Sequence, residues 1–160
     1  MRWFRFAILV LLATVIQASF FADLNIKPDL LLILLVFFAV YYDTSEAIIS
    51  SFAIGFAADL IGRTMGPQII SFGLFGTALA YLHQVITIRK MPYQAIAIFL
   101  TAIFAGALVY LLNFIKGEPV PPNLLTALFG IALYSGLVGP FLFLPSAWWM
   151  HIKTSRFGRR

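Results

Sequence analysis

Asp59 and Arg63 are the residues with the most chemistry to offer. They stand four apart in the stretch Gly55-Phe56-Ala57-Ala58-Asp59-Leu60-Ile61-Gly62-Arg63-Thr64-Met65-Gly66-Pro67. An acid among apolar neighbours can be a proton or ion site, a contact for a partner, or a hydrogen-bonding anchor for a neighbouring helix. An acid followed by a base at i+4 is the favourable order for a helical ion pair, so Arg63 can neutralise Asp59 locally. A carboxylate at the centre of a bilayer costs roughly 2.5–3.5 kcal/mol on insertion scales, and less near the interface. Of the three roles, anchoring a helix by capping or hydrogen bonding is the plainest, a partner contact comes second, and a proton or ion site third.

Other motifs of catalysis are missing. There is no His-Glu-x-x-His pair for zinc and no Gly-x-x-x-x-Gly-Lys loop for a nucleotide phosphate. There is no Gly-x-Ser-x-Gly elbow. The chain has no cysteine, which excludes disulfides, thiolate metal sites and a Cys nucleophile. His83 and His151 fall at the ends of apolar runs and read as interfacial. Gln17, Thr14, Tyr110 and Asn113 read as interhelical hydrogen-bonding groups. The expectation is a protein that is not an enzyme, with no cofactor and no metal.

The elements that hold Asp59 are membrane helices. Of 160 residues 62% are hydrophobic and 11% charged, and the mean hydropathy is +0.98. A soluble domain averages about 25% charged residues. Six apolar runs lie at about 4–22, 28–42, 46–62, 68–88, 94–115 and 123–149. A crossing of about 30 Å needs about 20 residues. The second and third runs fall short of that, and we read them as two crossings that borrow interfacial residues such as Tyr41 and Tyr42. The expected fold is all-α, a single membrane domain over 1–160 with six transmembrane helices and a short basic tail at 150–160. Pro140 and Pro145 predict a sixth helix that kinks or ends before Trp148. Trp148-Trp149 followed by His151 and Lys153 reads as an aromatic belt with its basic anchor. The loop 116–123, Lys-Gly-Glu-Pro-Val-Pro-Pro-Asn, reads as a stiff connector, with partner docking as the alternative.

Ala47, Ser51, Gly55 and Asp59 are spaced by four and form one stripe on a helix. Small residues let helices approach closely in lipid, so the stripe should face protein. Gly55→Leu should then overpack the contact, and Gly55→Ala should be mild. Gly62 and Gly66 repeat the small-xxx-small spacing, but Gly66-Pro67 points to a turn. Ser51, Gly55, Asp59, Gly62, Arg63 and Gly66 are therefore the candidates for partner contact or helix packing.

From Lys27 to about Tyr81 the chain resembles the bacterial rod shape-determining MreD family. The resemblance rests on Pro28-Asp29-Leu30 opening an apolar run, on Gly55 to Gly62 ending in Asp59-Leu60-Ile61-Gly62, and on Gly66 in the following turn. Gly66-Pro67 departs from the Leu-Gly pair more usual there. The resemblance implies a scaffold subunit of the cell-elongation machinery in the inner membrane. It implies MreC as direct partner, with RodA, the elongation transpeptidase PBP2 and MreB in the same assembly. It also implies a fold like that of the vitamin-capture subunits of energy-coupling-factor transporters. A small-molecule binding subunit of such a transporter is the competing reading; too few polar residues converge for a vitamin pocket. Membrane lipids are expected neighbours, and nucleic acid is not.

Orientation follows from Lys and Arg. Under six crossings, one side carries Arg2, Arg5, Arg89, Lys90, Lys153, Arg156, Arg159 and Arg160. The other carries Lys27, Arg63 and Lys116. The positive-inside rule puts both termini in the cytoplasm. Arg2 and Arg5 before an apolar run also mimic a signal peptide, but the run is nearer a full span than a signal core, and we expect it to be retained. Reporter fusions at Arg160 and Lys90 should read cytoplasmic and one at Glu118 periplasmic. A periplasmic reading at Arg160 would leave five crossings.

Overall fold

The computed structural model describes residues 2–20, 23, 28–62, 65–86, 90–120 and 122–151. Six helices follow in order: α1 Arg2–Ser19, α2 Leu30–Tyr41, α3 Thr44–Ile61, α4 Pro67–Val85, α5 Met91–Ile115 and α6 Leu124–Trp149. No strand occurs among the described residues. They run up and down. Gln84 near the end of α4 bonds Thr44 at the start of α3, Gln94 in α5 bonds Tyr41 at the end of α2, and Trp149 donates to the Arg5 carbonyl. Those contacts mark the terminal end of the bundle. The starts of α2, α4 and α6 lie at the far end.

The organising element is α2. Its sequence, LLLILLVFFAVY, is apolar on every side, and a helix of that kind must be enclosed. Every residue from Leu31 to Val40 is buried, and α2 touches each of the other five helices. It starts where Asp29 accepts from the Leu32 N–H at 3.1 Å, an N-cap of the ordinary kind. Phe37 and Phe38 meet Phe143 of α6 and Phe6 of α1 edge to face, at 5.4 and 4.9 Å between centroids. Twelve residues span about 18 Å at 1.5 Å per residue, well short of the hydrocarbon. A helix sheathed in protein need not match the bilayer, which is why so short a run serves here.

Outside this core the bundle is apolar too. Phe56, Leu60, Leu74, Phe104, Leu133 and Phe141 are all about half exposed or more. A water-soluble monomer rarely shows contiguous apolar surface on this scale; a lipid-facing one does. α3, α5 and α6 are long and apolar enough to cross a membrane, while α1 and α2 are apolar but shorter. The six crossings read from the sequence are thus six helices, of which three meet that measure.

Boundaries differ from expectation by a few residues. The first helix begins at Arg2 and ends at Ser19, and the fourth stops at Val85 rather than 88. α6 runs through Pro140 and Pro145 to Trp149, so of the two expectations for it, a kink or an end before Trp148, the early end does not occur. Each proline removes one ladder bond. Apolar surroundings offer no water to compete for the remaining backbone groups, so the helix persists on either side.

α3 and α4 form the most extensive helix pair. The stripe of Ala47, Ser51, Gly55 and Asp59 is buried along its whole length. A methyl group on Gly55 would stand 2.8 Å from the Ile69 Cα and 2.9 Å from the Gln68 carbonyl oxygen. One on Gly76 would overlap the Ser51 side chain. The two helices therefore interlock, Gly55 against the first turn of α4 and Ser51 against Gly76. This corrects the expectation that Gly55→Ala is mild. The obstacle is backbone, which cannot rotate away. Gly55→Ala should cost about 1–3 kcal/mol and lower the thermal unfolding midpoint in detergent, whereas Leu60→Ala on the lipid face should shift it little. An unchanged midpoint for Gly55→Ala would mean that the helices are not in this contact.

Candidate functional site: the Asp59 cap and the pocket beside it

Asp59 is 1% exposed, in the last turn of α3. Its carboxylate reaches across the connecting turn to the start of α4. Oδ2 accepts from the Gly66 N–H at 2.9 Å and the Ile69 N–H at 3.1 Å, and Oδ1 accepts from the Gln68 N–H at 3.1 Å. Pro67 has no N–H. The next amide, Ile70, donates to the Gly66 carbonyl and begins the intrahelical ladder. One side chain thus takes every donor that the first turn of α4 would otherwise leave unpaired.

The local sequence explains why the cap comes from another helix. The N-cap residue of α4 is Gly66, which has no side chain to offer. Its φ of +116° is a conformation that glycine adopts freely and other residues avoid. Pro67 at the first helical position fixes φ and needs no partner. The turn is therefore shaped by Gly66 and Pro67, and its hydrogen bonding is delegated to Asp59. A negative charge there also complements the positive end of the α4 dipole. Lys116, just past α5, donates to the Met65 carbonyl and ties the same turn to the end of α5.

Gly62, the C-cap of α3, donates to the Ala58 and Asp59 carbonyls. Ser51 turns its hydroxyl back to the Ala47 carbonyl at 2.7 Å. Arg63, and with it the proposed pair with Asp59, lies outside the described residues. The structure brings Asp59, Gly62 and Gly66 to one turn, with Gly55 directly beneath it on α3. Ser51 sits a further turn down.

A cavity of about 400 Å³ opens beside this turn, and its wall includes Gly62, Pro67, Gln68, Tyr110, Asn113 and Glu118. A smaller cavity of about 130 Å³ shares Gln68, Val109 and Tyr110 and reaches Asp29 and Phe72. The larger one is polar at its rim, and the smaller runs in between α2, α4, α5 and α6. Asp29 holds the floor in place. Its own N–H donates to Ser135 of α6 at 2.8 Å, and Gln17 of α1 accepts from the Leu31 N–H at 3.3 Å. The far end is thus built on two aspartates, each capping a helix start. Between them lies a recess large enough for a few side chains.

Sequence reasoning placed Tyr110 and Asn113 near this end but as interhelical hydrogen-bonding groups. It missed Gln68 and Ser135. An Asp before an apolar run signals a cap, so Asp29 was readable as one. Gln68 and Ser135 carry no such local signal, because their roles depend on helices distant in the chain. Among the described residues no three His, Asp or Glu side chains gather to hold a metal.

The family model of the rod shape-determining protein MreD matches residues 1–120, which covers α1 to α5 and the start of the last loop. This extends well beyond the stretch from Lys27 to Tyr81 that carries the motif. No curated relative and no solved structure matches the chain. The likeness to vitamin-capture subunits accordingly rests on hydropathy alone.

Replacing Asp59 should act through the α4 cap. Asn keeps one acceptor oxygen but turns an NH₂ group toward the helix amides, so Asp59→Asn should cost about 1–2 kcal/mol. Leu strands three amides at about 1–3 kcal/mol each, so Asp59→Leu should cost more or fail to fold. Thermal unfolding in detergent checks the order. Stability unchanged in Asp59→Asn together with lost function would instead indicate proton chemistry.

Proposed function

The chain belongs to the MreD family of rod shape-determining proteins, and from that premise we propose that it is a non-enzymatic scaffold subunit of the cell-elongation complex in the bacterial inner membrane. In this reading all six helices sit in the bilayer, both termini face the cytoplasm, and the Asp59 end faces outward. MreC is the direct partner. RodA, the elongation transpeptidase PBP2 and MreB belong to the same assembly, so that the subunit helps couple the MreB cytoskeleton to peptidoglycan synthesis.

The observation that carries the proposal is the recess at the far end. It is rimmed by the loop after α5 through Glu118, Pro119 and Val120. Proline stiffens that rim. Its opposite wall is the turn that Asp59 and Lys116 hold rigid. A preformed, part-polar recess beside a fixed turn suits a short protein segment, because a surface that is already ordered loses little freedom on binding. A partner with a domain on the outer side of the membrane, as MreC has, presents such a segment at the right level.

The test is to block the recess without touching the cap. Val109→Trp fills the space shared by both cavities, and Tyr110→Ala removes a large ring from its wall. Both should lower MreC co-purification about tenfold, the scale of one lost contact of ~1.4 kcal/mol, and give rounded cells in a depletion strain. The unfolding midpoint should stay near wild type in Tyr110→Ala. Full MreC recovery with both variants would place the docking surface elsewhere.

A further inference from the structure

At the opposite, terminal end there is a second recess of different chemistry. Trp3 and Phe6 of α1, Phe38 of α2 and Tyr42 just after it surround a small space with Glu46 of α3 in its wall. The rings form a linked set. Trp3 meets Phe6 edge to face at 5.7 Å, Phe6 meets Phe38 at 4.9 Å, and Phe38 meets Tyr42 at 5.1 Å. Glu46 Oε2 is buried and has no hydrogen-bond partner among the described residues. Ser50, which shares the wall, spends its hydroxyl on the Ala47 carbonyl. The space measures about 20 Å³, room for one water-sized group.

An unpaired buried carboxylate oxygen is costly and asks for a donor. Aromatic faces are attractive to a cation within about 6 Å. Together they specify a small cationic donor. The size admits a primary ammonium, –NH₃⁺, and excludes a trimethylammonium. The surroundings say more. Among the described residues, Arg5, in the first turn of α1 and next in sequence to Phe6, and Lys90, the N-cap of α5, are basic residues of this end. A zwitterion suits both kinds of group: its phosphate can meet a basic side chain such as Arg5 while its ammonium meets the cage. Trp3 is 47% exposed, at the level where interfacial tryptophans meet lipid headgroups.

We propose that the cage of Trp3, Phe6, Phe38, Tyr42 and Glu46 binds the primary ammonium of an ethanolamine phospholipid from the surrounding bilayer. The site is separate from the far-end recess, so it stands whether or not a partner docks there.

The experiment uses the full chain in nanodiscs of phosphatidylethanolamine with phosphatidylglycerol, or of phosphatidylcholine with phosphatidylglycerol. Native mass spectrometry after mild detergent release counts the retained lipid. Phosphatidylethanolamine should be retained about tenfold over phosphatidylcholine, and Glu46→Gln and Trp3→Leu should each remove most of that preference. Carbodiimide should couple the Glu46 carboxylate to the lipid amine in the first nanodisc and not in the second. Trp3→Leu guards against misfolding, since that residue is about half exposed and its loss should leave the core packed. Equal retention of the two lipids, or an undiminished preference in Glu46→Gln, would overturn the proposal and leave a single water as the partner of Oε2. In native membranes, coupling of Glu46 to a lysine of another protein in place of lipid would overturn it as well.

Discussion

The Asp59 carboxylate is the constraint from which the α3–α4 half of the bundle follows. A helix start in an apolar environment has no water to satisfy its first amides, and each one left bare costs several kcal/mol. Gly66 and Pro67 make a turn tight enough to reverse the chain but provide no side-chain acceptor. The acceptor must then come from α3, and it must come within hydrogen-bonding distance of three amides at once. That condition sets the register of α3 against α4. It puts Gly55, one turn before Asp59, under the first turn of α4, where only a residue without a side chain fits. The glycine and the aspartate are thus two parts of one arrangement. The first allows the approach and the second requires it.

The same logic repeats at α2 on a smaller scale. Asp29 caps its own helix, and Gln17 and Ser135 supply the further contacts from α1 and α6. Asp29, Gln17, Ser135 and Asp59 all serve helix starts at the far end. This explains how a helix as apolar as α2 can lie wholly inside the bundle. Its sides need only packing, and its exposed backbone end is met by side chains from two neighbours. The phenylalanines that fill the sides hold α1 and α6 to it edge to face, a geometry that adds about 0.5–1.5 kcal/mol per pair beyond burial.

Much of this was legible in the sequence. The six helices follow from apolar runs broken by Pro, Gly and charged turns, and their ends moved by only a few residues. The stripe ending in Asp59 was readable as a packing face, and a cap on a neighbouring helix was the plainest role for the acid. What escaped was the number of donors Asp59 serves, because Gln68 and Ile69 lie nine and ten residues on and no local pattern joins them to it. The depth of the Gly55 contact escaped too. Spacing shows that a small face exists but not whether the partner atom is a movable side chain or a fixed backbone. For α6 a kink or an early end was the expectation from its prolines, and only the early end is excluded. Prolines are breakers in water, where freed carbonyls gain solvent by opening the helix; in an apolar bundle that gain is absent and the helix continues.

The two ends of the molecule divide the chemistry between them. At the far end Asp29 and Asp59 are spent on backbone amides, so the recess there keeps Gln68, Tyr110 and Asn113 with Glu118 at its rim on a rigid frame, suited to shape and hydrogen bonding. At the terminal end Glu46 stands near the start of α3 with one oxygen unspent among the described residues, in a recess lined by Trp3, Phe6, Phe38 and Tyr42. The difference arises from the turns. Gly66-Pro67 creates a demand that Asp59 must meet, whereas α3 begins at Asp43 with no side-chain cap and leaves Glu46 free of that duty. A carboxylate relieved of a structural task, with Oε2 enclosed beside aromatic rings, keeps its capacity to bind something from outside the chain. The placement of the turns therefore settles which acid holds the fold and which remains open for recognition.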